Sequence, residues 1–560
     1  MTEKNVVLLD GYVDEPSAFG VPPYISFQSR YVAGAARSLG YSVRYLTVDQ
    51  YRNMDENILG GLISGASLLV ILAGCVVPGK YLRGTPISIP EIRSVKESYH
   101  PRTTILGGAA ARYGFGGVGG SELIIPEAIA HGADLLATQD LDASVFDYLA
   151  GGYYGSRKRT LQEWNIWAKL GAGVVTQHPD FPSPLFVEVE TSRGCPRYIT
   201  GGCSFCVEPQ HGLPVFREPH DIVEEVEVLY RLGVRNIRLG GQSDVYAYMG
   251  GGVGETETVR PNVEAWERLF TGVWSVAPEL KVLHLDNANP AVVAIHPEQS
   301  RRLTKLFVRQ CTSGNLLPLG LESADPVVTR QNNLNATTEQ TLDAVRLINE
   351  LGRSYGPNGL PRLLPGLNFV FGLKGETKET YKLNYQFLQD LVEENLLLRR
   401  VNLRQVTNPK ESFKPNKNKA FFKRYKRRIR ENIDRVLLQR LFPIGHVLRD
   451  VYLEKHDRQF THGRQVGSYA LLNSIPFNTP VNRFVDVLVT GHGYRSLSVL
   501  PLPVEVNIIP RKALESLPQF GVKRARRVVQ SRPFKSKEEF LASLDDPQIL
   551  TGYEEHLTFD

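Results

Sequence analysis

The chain has 560 residues, 42% of them hydrophobic and 22% charged, with a formal net charge of +6. This is a globular composition, too long for one hydrophobic core, and it excludes a disordered or fibrous chain. No stretch reaches ~18 consecutive apolar residues, and the N-terminus lacks a long apolar run before a small-residue cleavage site, so neither a membrane span nor a secretory signal is expected.

Taken in order, residues 1–172 read as an α/β unit. Asn5–Leu9, Ser42–Val48, Ser67–Leu72 and Thr103–Leu106 are strand-like, and Ser29–Leu39 has helical apolar spacing and ends at Gly40. The longest apolar stretch, Leu62–Val77, reads as a buried strand. Strands alternating with helices imply a Rossmann-like parallel sheet, with ligands at the C-terminal strand ends. Two glycine-rich tips lie there: Ala73-Gly74-Cys75 and Gly107-Gly108-Ala109.

Residues 173–408 alternate strand and helix six times, with strands predicted at Leu185–Glu190, Asn236–Gly241, Val282–Asp286, Leu316–Leu321, Gly366–Gly372 and Arg400–Gln405. Six consecutive units predict a partial (β/α)6 barrel whose site is built from the loops after the strands. Residues 409–466 read as a basic helical linker. Ten bases lie between Lys410 and Arg430, against the single acid Glu411, with Phe421, Phe422 and Tyr425 interleaved. Residues 467–508 alternate apolar and polar residues between Pro and Gly breaks, which predicts a small β-domain. Residues 509–560 read as a short helix, a hairpin Pro518-Gln519-Phe520-Gly521 and a basic helix with Lys523, Arg524, Arg526 and Arg527.

The chemistry concentrates in Glu188-Val-Glu-Thr-Ser-Arg-Gly-Cys195-Pro-Arg-Tyr-Ile-Thr-Gly-Gly-Cys203-Ser-Phe-Cys206, directly after the first barrel strand. Five cysteines in so long a chain make no disulfide framework, and three of them fall within twelve residues. In a reducing, cytoplasmic compartment that pattern points to metal. Three thiolates from one loop suit a [4Fe–4S] cluster with one iron left open. The Gly201-Gly202 pair lets the loop turn tightly, and Phe205 is placed to shield it. The alternative is a structural zinc site, which wants a fourth ligand such as Cys75, Cys311 or His211.

This loop resembles the cluster loop of the radical SAM superfamily, with a longer first spacing than usual: seven residues separate Cys195 from Cys203. The resemblance implies that S-adenosylmethionine (SAM) chelates the open iron, and that an electron from an unidentified donor breaks a carbon–sulfur bond to yield a 5′-deoxyadenosyl radical. It also implies further contacts. Gly240-Gly241-Gln242 stands where the superfamily binds the SAM amino group, with an uncharged Gln242 in place of the usual acid. Glu322 and Ser323 resemble the ribose or methionine contact, and Gly372 the adenine-packing motif. No catalytic side chain is assigned. His284, Asp286, Asn287, Arg404 and Gln405 end barrel strands and are placed to face substrate or to make structural hydrogen bonds.

The N-terminal unit resembles the cobalamin-binding-type domain that precedes many radical SAM domains, through Leu8–Pro16, Gly20–Tyr24 and Ile105–Gly108, but has no Asp-x-His-x-x-Gly cobalt-ligand motif. Residues 467–507 are similar to a TRAM RNA-binding barrel, and Leu517–Ala525 to a helix-hairpin-helix in which Gln519 replaces the first hairpin glycine. Nearly the whole chain resembles an archaeal-type group of radical SAM enzymes that end in this motif. The expectation is a single-cluster SAM-cleaving enzyme acting on RNA, and among RNAs on tRNA. Alternatives are a cobalamin-dependent or small-molecule methyltransferase, and a non-catalytic nucleic-acid-binding protein that keeps the cluster for structure. A methylthiotransferase would need three further N-terminal cysteines, and only Cys75 precedes Cys195.

Overall fold

The computed structural model describes residues 4–12, 21–74, 82–115, 124, 129–152, 155–406, 419–517, 519–550 and 554–559. The N-terminal sheet comprises β1 (Asn5–Asp10), β2 (Ser42–Thr47), β3 (Leu68–Leu72), β4 (Thr104–Gly107) and β5 (Leu135–Leu136). All pairings are parallel, in the order β2-β1-β3-β4-β5. Every residue of β3 is buried, as a central strand covered by helices on both faces requires. The stretch Leu62–Val77 is not one strand. Its start belongs to the helix Glu56–Ser64, and Gly65 separates that helix from β3. Cys75 lies outside the described residues.

The helix Phe27–Ser38 crosses the helix Leu161–Gly171 with their backbones in contact. A Cβ on Gly34 would lie 2.0 Å from the Trp167 carbonyl oxygen, and one on Gly171 would lie 1.7 Å from that of Arg30. Gly171→Ala is therefore expected to cost about 1–3 kcal/mol through overpacking. A lower urea midpoint at unchanged slope would show it.

The barrel strands are β6 (Phe186–Glu190), β7 (Asn236–Gly240), β8 (Val282–His284), β9 (Asn315–Glu322), β10 (Leu363–Phe371) and β11 (Arg400–Gln405). They form two parallel sheets, β8-β7-β6 and β9-β10-β11. An isolated bridge between Ala288 and Leu319 joins the sheets, with the Ala288 amide donating to the Pro318 carbonyl at 3.0 Å. The two-residue strand Tyr24–Ile25 pairs with β6, so the N-terminal unit extends the barrel edge.

After the helical stretch Lys419–Leu441 come β12 (Val447–Asp457), β13 (Phe460–Gln465), β14 (Leu472–Ile475), β15 (Arg483–His492) and β16 (Ser496–Pro501). They close into a barrel in the order β12-β13-β14-β16-β15. The helical linker expected over 409–466 thus gives way to strand at Val447, and the β-domain starts earlier than 467. The alternation in β12 is hidden because its pairing with β15 shifts register between Leu448 and Val451, where Arg449 and Asp450 are exposed. The interleaved aromatics do not face outward: Phe422 and Tyr425 are buried against Phe371 and Tyr381. Lys410, Lys414 and Lys417 lie outside the described residues.

At the C-terminus the helices Arg511–Ser516 and Gly521–Ser531 flank a turn in which Gln519 and Gly521 have φ +60° and +62°. Pro518 lies outside the described residues. No described helix is long and apolar enough to cross a membrane.

Candidate functional site

The cysteine loop leaves β6 at the end where the other barrel strands also deliver their loops. Cys195 precedes a short 3-10 turn, Pro196–Thr200, closed by Gly201 at φ +81°. Gly202 follows at φ +63°, where a Cβ would meet Pro209 at 2.3 Å, so the glycine pair is required by both conformation and space. The Cys206 amide donates to the Cys203 carbonyl at 3.1 Å, and Arg197 donates to the Cys203 sulfur at 3.0 Å. Burial pushes the Cys206 thiol up, and the neighbouring Cys203 and Cys195 add to the shift. Cys203 and Phe205 pack on Val328, Leu334, Leu373 and Val406, which cover this side of the loop with apolar surface.

Two adjacent asparagines hold the loop. Asn332 accepts the Ser204 amide on its carbonyl at 3.0 Å and the Ser204 hydroxyl on its side chain at 2.9 Å. The same side chain exchanges hydrogen bonds with the Lys374 backbone at 2.8 and 3.2 Å. Asn333 accepts from Arg197 at 2.9 and 3.0 Å and donates to the Gly202 carbonyl at 3.0 Å. The cysteine loop is thereby tied to the segments after β9 and β10. Arg197, Asn332 and Asn333 were not anticipated. Arg197 stands inside the motif, but the asparagines carry no local signal.

Beside the cysteine loop, β7 ends in Gly240, and Gly241 follows it; the Ser243 hydroxyl donates to the Gly194 carbonyl at 3.0 Å. A Cβ on Gly240 would lie 2.0 Å from a Glu188 oxygen, and one on Gly241, at φ +74°, 2.6 Å from Glu190 Cγ. The side chain of Gln242 is buried and donates to the Thr191 hydroxyl at 2.5 Å, while its Oε1 accepts nothing among the described residues. Glu322 ends β9 beside a register shift and has φ +64°, a strained conformation for a residue with a Cβ. Burial pushes its carboxyl up to about 8, against the pull of nearby Arg404. The hydroxyl of Ser323 accepts the Asp325 amide at 3.2 Å, and Gly372, at φ +89°, donates its amide to Glu376 at 2.5 Å.

His284 and Asp286 are buried and make contacts within the chain. Burial holds the His284 ring neutral, down to about 3, and its Nδ1 accepts the Ser468 amide at 3.1 Å. Asp286 pairs with the buried Arg238, which also lies 3.9 Å from Glu188. These groups belong to the packed barrel interior. Cys311 is buried in the barrel core.

Residues 189–388 match the family model described as the radical SAM superfamily. The chain belongs to the radical SAM superfamily. It is 41% identical to an uncharacterised protein of Methanocaldococcus jannaschii over 88% of this chain and 92% of the relative. A tRNA-2-methylthio-N(6)-dimethylallyladenosine synthase of Acinetobacter baylyi is 27% identical over 36% of this chain and 37% of its own length. Among solved structures, the radical SAM methyltransferase TsrM of Kitasatospora setae, with cobalamin and a [4Fe–4S] cluster bound, covers 73% of this chain and 74% of its own at 14% identity and TM-score 0.48. Radical SAM enzymes use a [4Fe–4S] cluster and SAM. In donor chemistry the residues suit both groups: three free thiols lie on one glycine-turned loop, and the buried Gln242 Oε1 has no partner among the described residues.

Proposed function

We propose that this radical SAM enzyme holds a single cluster on Cys195, Cys203 and Cys206, binds SAM along Gly240, Gly241, Gln242, Glu322, Ser323 and Gly372, and modifies RNA. The observation that carries the reading is the Asn332–Asn333 clamp, which sets the cysteine loop and the loops after β9 and β10 around one end of the barrel. When bound, the cluster and SAM supply a carbon radical. The chain's own residues position and shield it. Arg197 donates to the Cys203 sulfur, Phe205 and its apolar neighbours exclude water, and Gln242 offers the carbonyl oxygen that Thr191 leaves unused. Gln242→Leu is therefore expected to weaken SAM binding about tenfold, as the loss of a hydrogen bond to a charged amine does. Equilibrium dialysis with SAM reads this directly.

The RNA assignment is supported by outward-facing bases on two helices. Lys423, Arg424, Arg427 and Arg428 are exposed on one, and Lys523, Arg526 and Arg527 on the hairpin-like second. Mass spectrometry of RNA nucleosides from cells with and without the protein tests it. A missing modified nucleoside is expected. An unchanged profile, together with no salt-sensitive RNA binding, overturns the RNA reading.

A second reading, cobalamin-dependent methyl transfer, is favoured by a cleft between the N-terminal sheet and the cysteine loop, lined by Gly108, Arg112, Asp140, Glu190 and Glu208 among others. It lies at the C-terminal strand ends, where parallel sheets bind cofactors. A corrinoid spectrum in the purified protein decides for this reading, and its absence after reconstitution decides against it.

A further inference from the structure

Away from the cysteine loop, the open side of the barrel gathers cations from three parts of the chain. Arg399, Arg400 and Arg404 come from the start and end of β11, Lys426 and Arg430 from the basic helix, and Arg495 from the turn between β15 and β16. Arg399, Arg400 and Arg495 line a cleft of about 50 Å3 with Tyr469, Tyr494 and Asp434, and Arg404, Lys426 and Arg430 lie close behind them. That volume is several times the ~10–15 Å3 that one water needs.

The cations are poorly compensated. Of the carboxylates that face them, Asp434 is already held by Arg430, and Glu322 lies toward Arg404 and favours its neutral form. Arg399 donates to the Tyr469 carbonyl at 3.4 Å, and Arg400 lies over the Tyr469 ring at 4.8 Å and donates to Asn402. Neither contact supplies negative charge. Burial pushes Arg399 and Arg400 down to about 10. Arg495 adds to the shift at Arg399, and Arg404 and Arg399 add to it at Arg400. Both stay cationic at neutral pH, so the folded chain sustains like-charge repulsion here. Arg495 is exposed, so the cleft can be reached from solvent.

Guanidinium forks at several angles match the oxygens of a tetrahedral dianion better than a single planar carboxylate. The exposed ring of Tyr494 stands at the mouth, as an aromatic beside a nucleotide phosphate would. We propose that this cleft is a phosphate-binding subsite, which seats a nucleotide phosphate of the substrate at the open side of the barrel. The inference deepens the proposed function, from which it takes only that the substrate carries nucleotides. The phosphate is either that of a free nucleotide or one in an RNA backbone.

The test uses the full chain and titrates inorganic phosphate, uridine 5′-monophosphate and a short single-stranded RNA. Uridine is chosen so that the base does not compete for the adenine side of a SAM site. Arg495→Ala and Arg399→Gln are each expected to weaken phosphate and uridine 5′-monophosphate about tenfold, and Arg495→Lys to weaken them less. If RNA weakens in parallel, the backbone is the source. If RNA does not bind while the mononucleotide does, the subsite stands and the RNA reading falls. The proposal is overturned if the wild-type chain binds neither phosphate nor mononucleotide, or if the alanine and glutamine variants bind both as tightly as wild type. RNA modified equally by wild type and variants, with phosphate and mononucleotide binding also unchanged, would keep the RNA reading and remove the subsite.

Discussion

Cys203→Ala is expected to abolish the iron–sulfur absorption of the anaerobically reconstituted protein and to reduce formation of 5′-deoxyadenosine from SAM to background. Cys203 is the middle thiol of the loop, receives the Arg197 guanidinium, and packs with Phe205 on the apolar patch formed by Val328, Leu334, Leu373 and Val406. A cubane needs all three loop thiolates, because the fourth iron is the one left open. Cys311→Ala is the matched comparison. It removes a thiol buried in the barrel core and should leave the absorption unchanged. Full absorption in Cys203→Ala, measured with iron and sulfide quantified, would remove the loop as the cluster site.

Glu225→Leu is expected to cost about 3–5 kcal/mol, the largest effect on stability of any substitution considered for this chain. Glu225 pairs with both Arg30 and Arg217, and all three side chains are completely buried. Arg30 also donates to the Glu188 carbonyl, and Arg217 to that of Glu190 at 2.9 Å, so the triad fastens the helix Phe27–Ser38 to β6. Removing the carboxylate strands two guanidiniums without water or counter-charge. Burial alone would raise the Glu225 carboxyl, but Arg30 and Arg217 outweigh it and hold it below the ordinary range. The stabilisation is therefore fully present above the ordinary carboxylate pKa and is lost as pH falls through the depressed value. Urea denaturation at neutral pH reads the cost. Glu227→Leu, which breaks only the exposed pair with Arg231, should stay within about 0.5 kcal/mol.

Much of the fold was legible because its signals are local. The six strand–helix alternations gave strand positions that differ from the observed ones by a few residues, as at Val282–Asp286 against Val282–His284. Where local signals conflicted, the reading failed. The charges in Val447–Asp457 and its register shift hid a strand next to a basic helix. Phe422 and Tyr425 stand interleaved with bases because a helix places alternate faces in one run of sequence, and only packing on Phe371 shows which face is buried.

The three cysteines illustrate the division most plainly. Their spacing, the glycine pair and the strand before them were set by sequence alone, because all of them lie in one short run of chain. The partners that hold the loop still, Asn332 and Asn333, and the cationic cleft that joins Arg399 to Arg495, were decided by tertiary structure. Their residues are distant in sequence, and single asparagines or arginines carry no pattern until the fold brings them together.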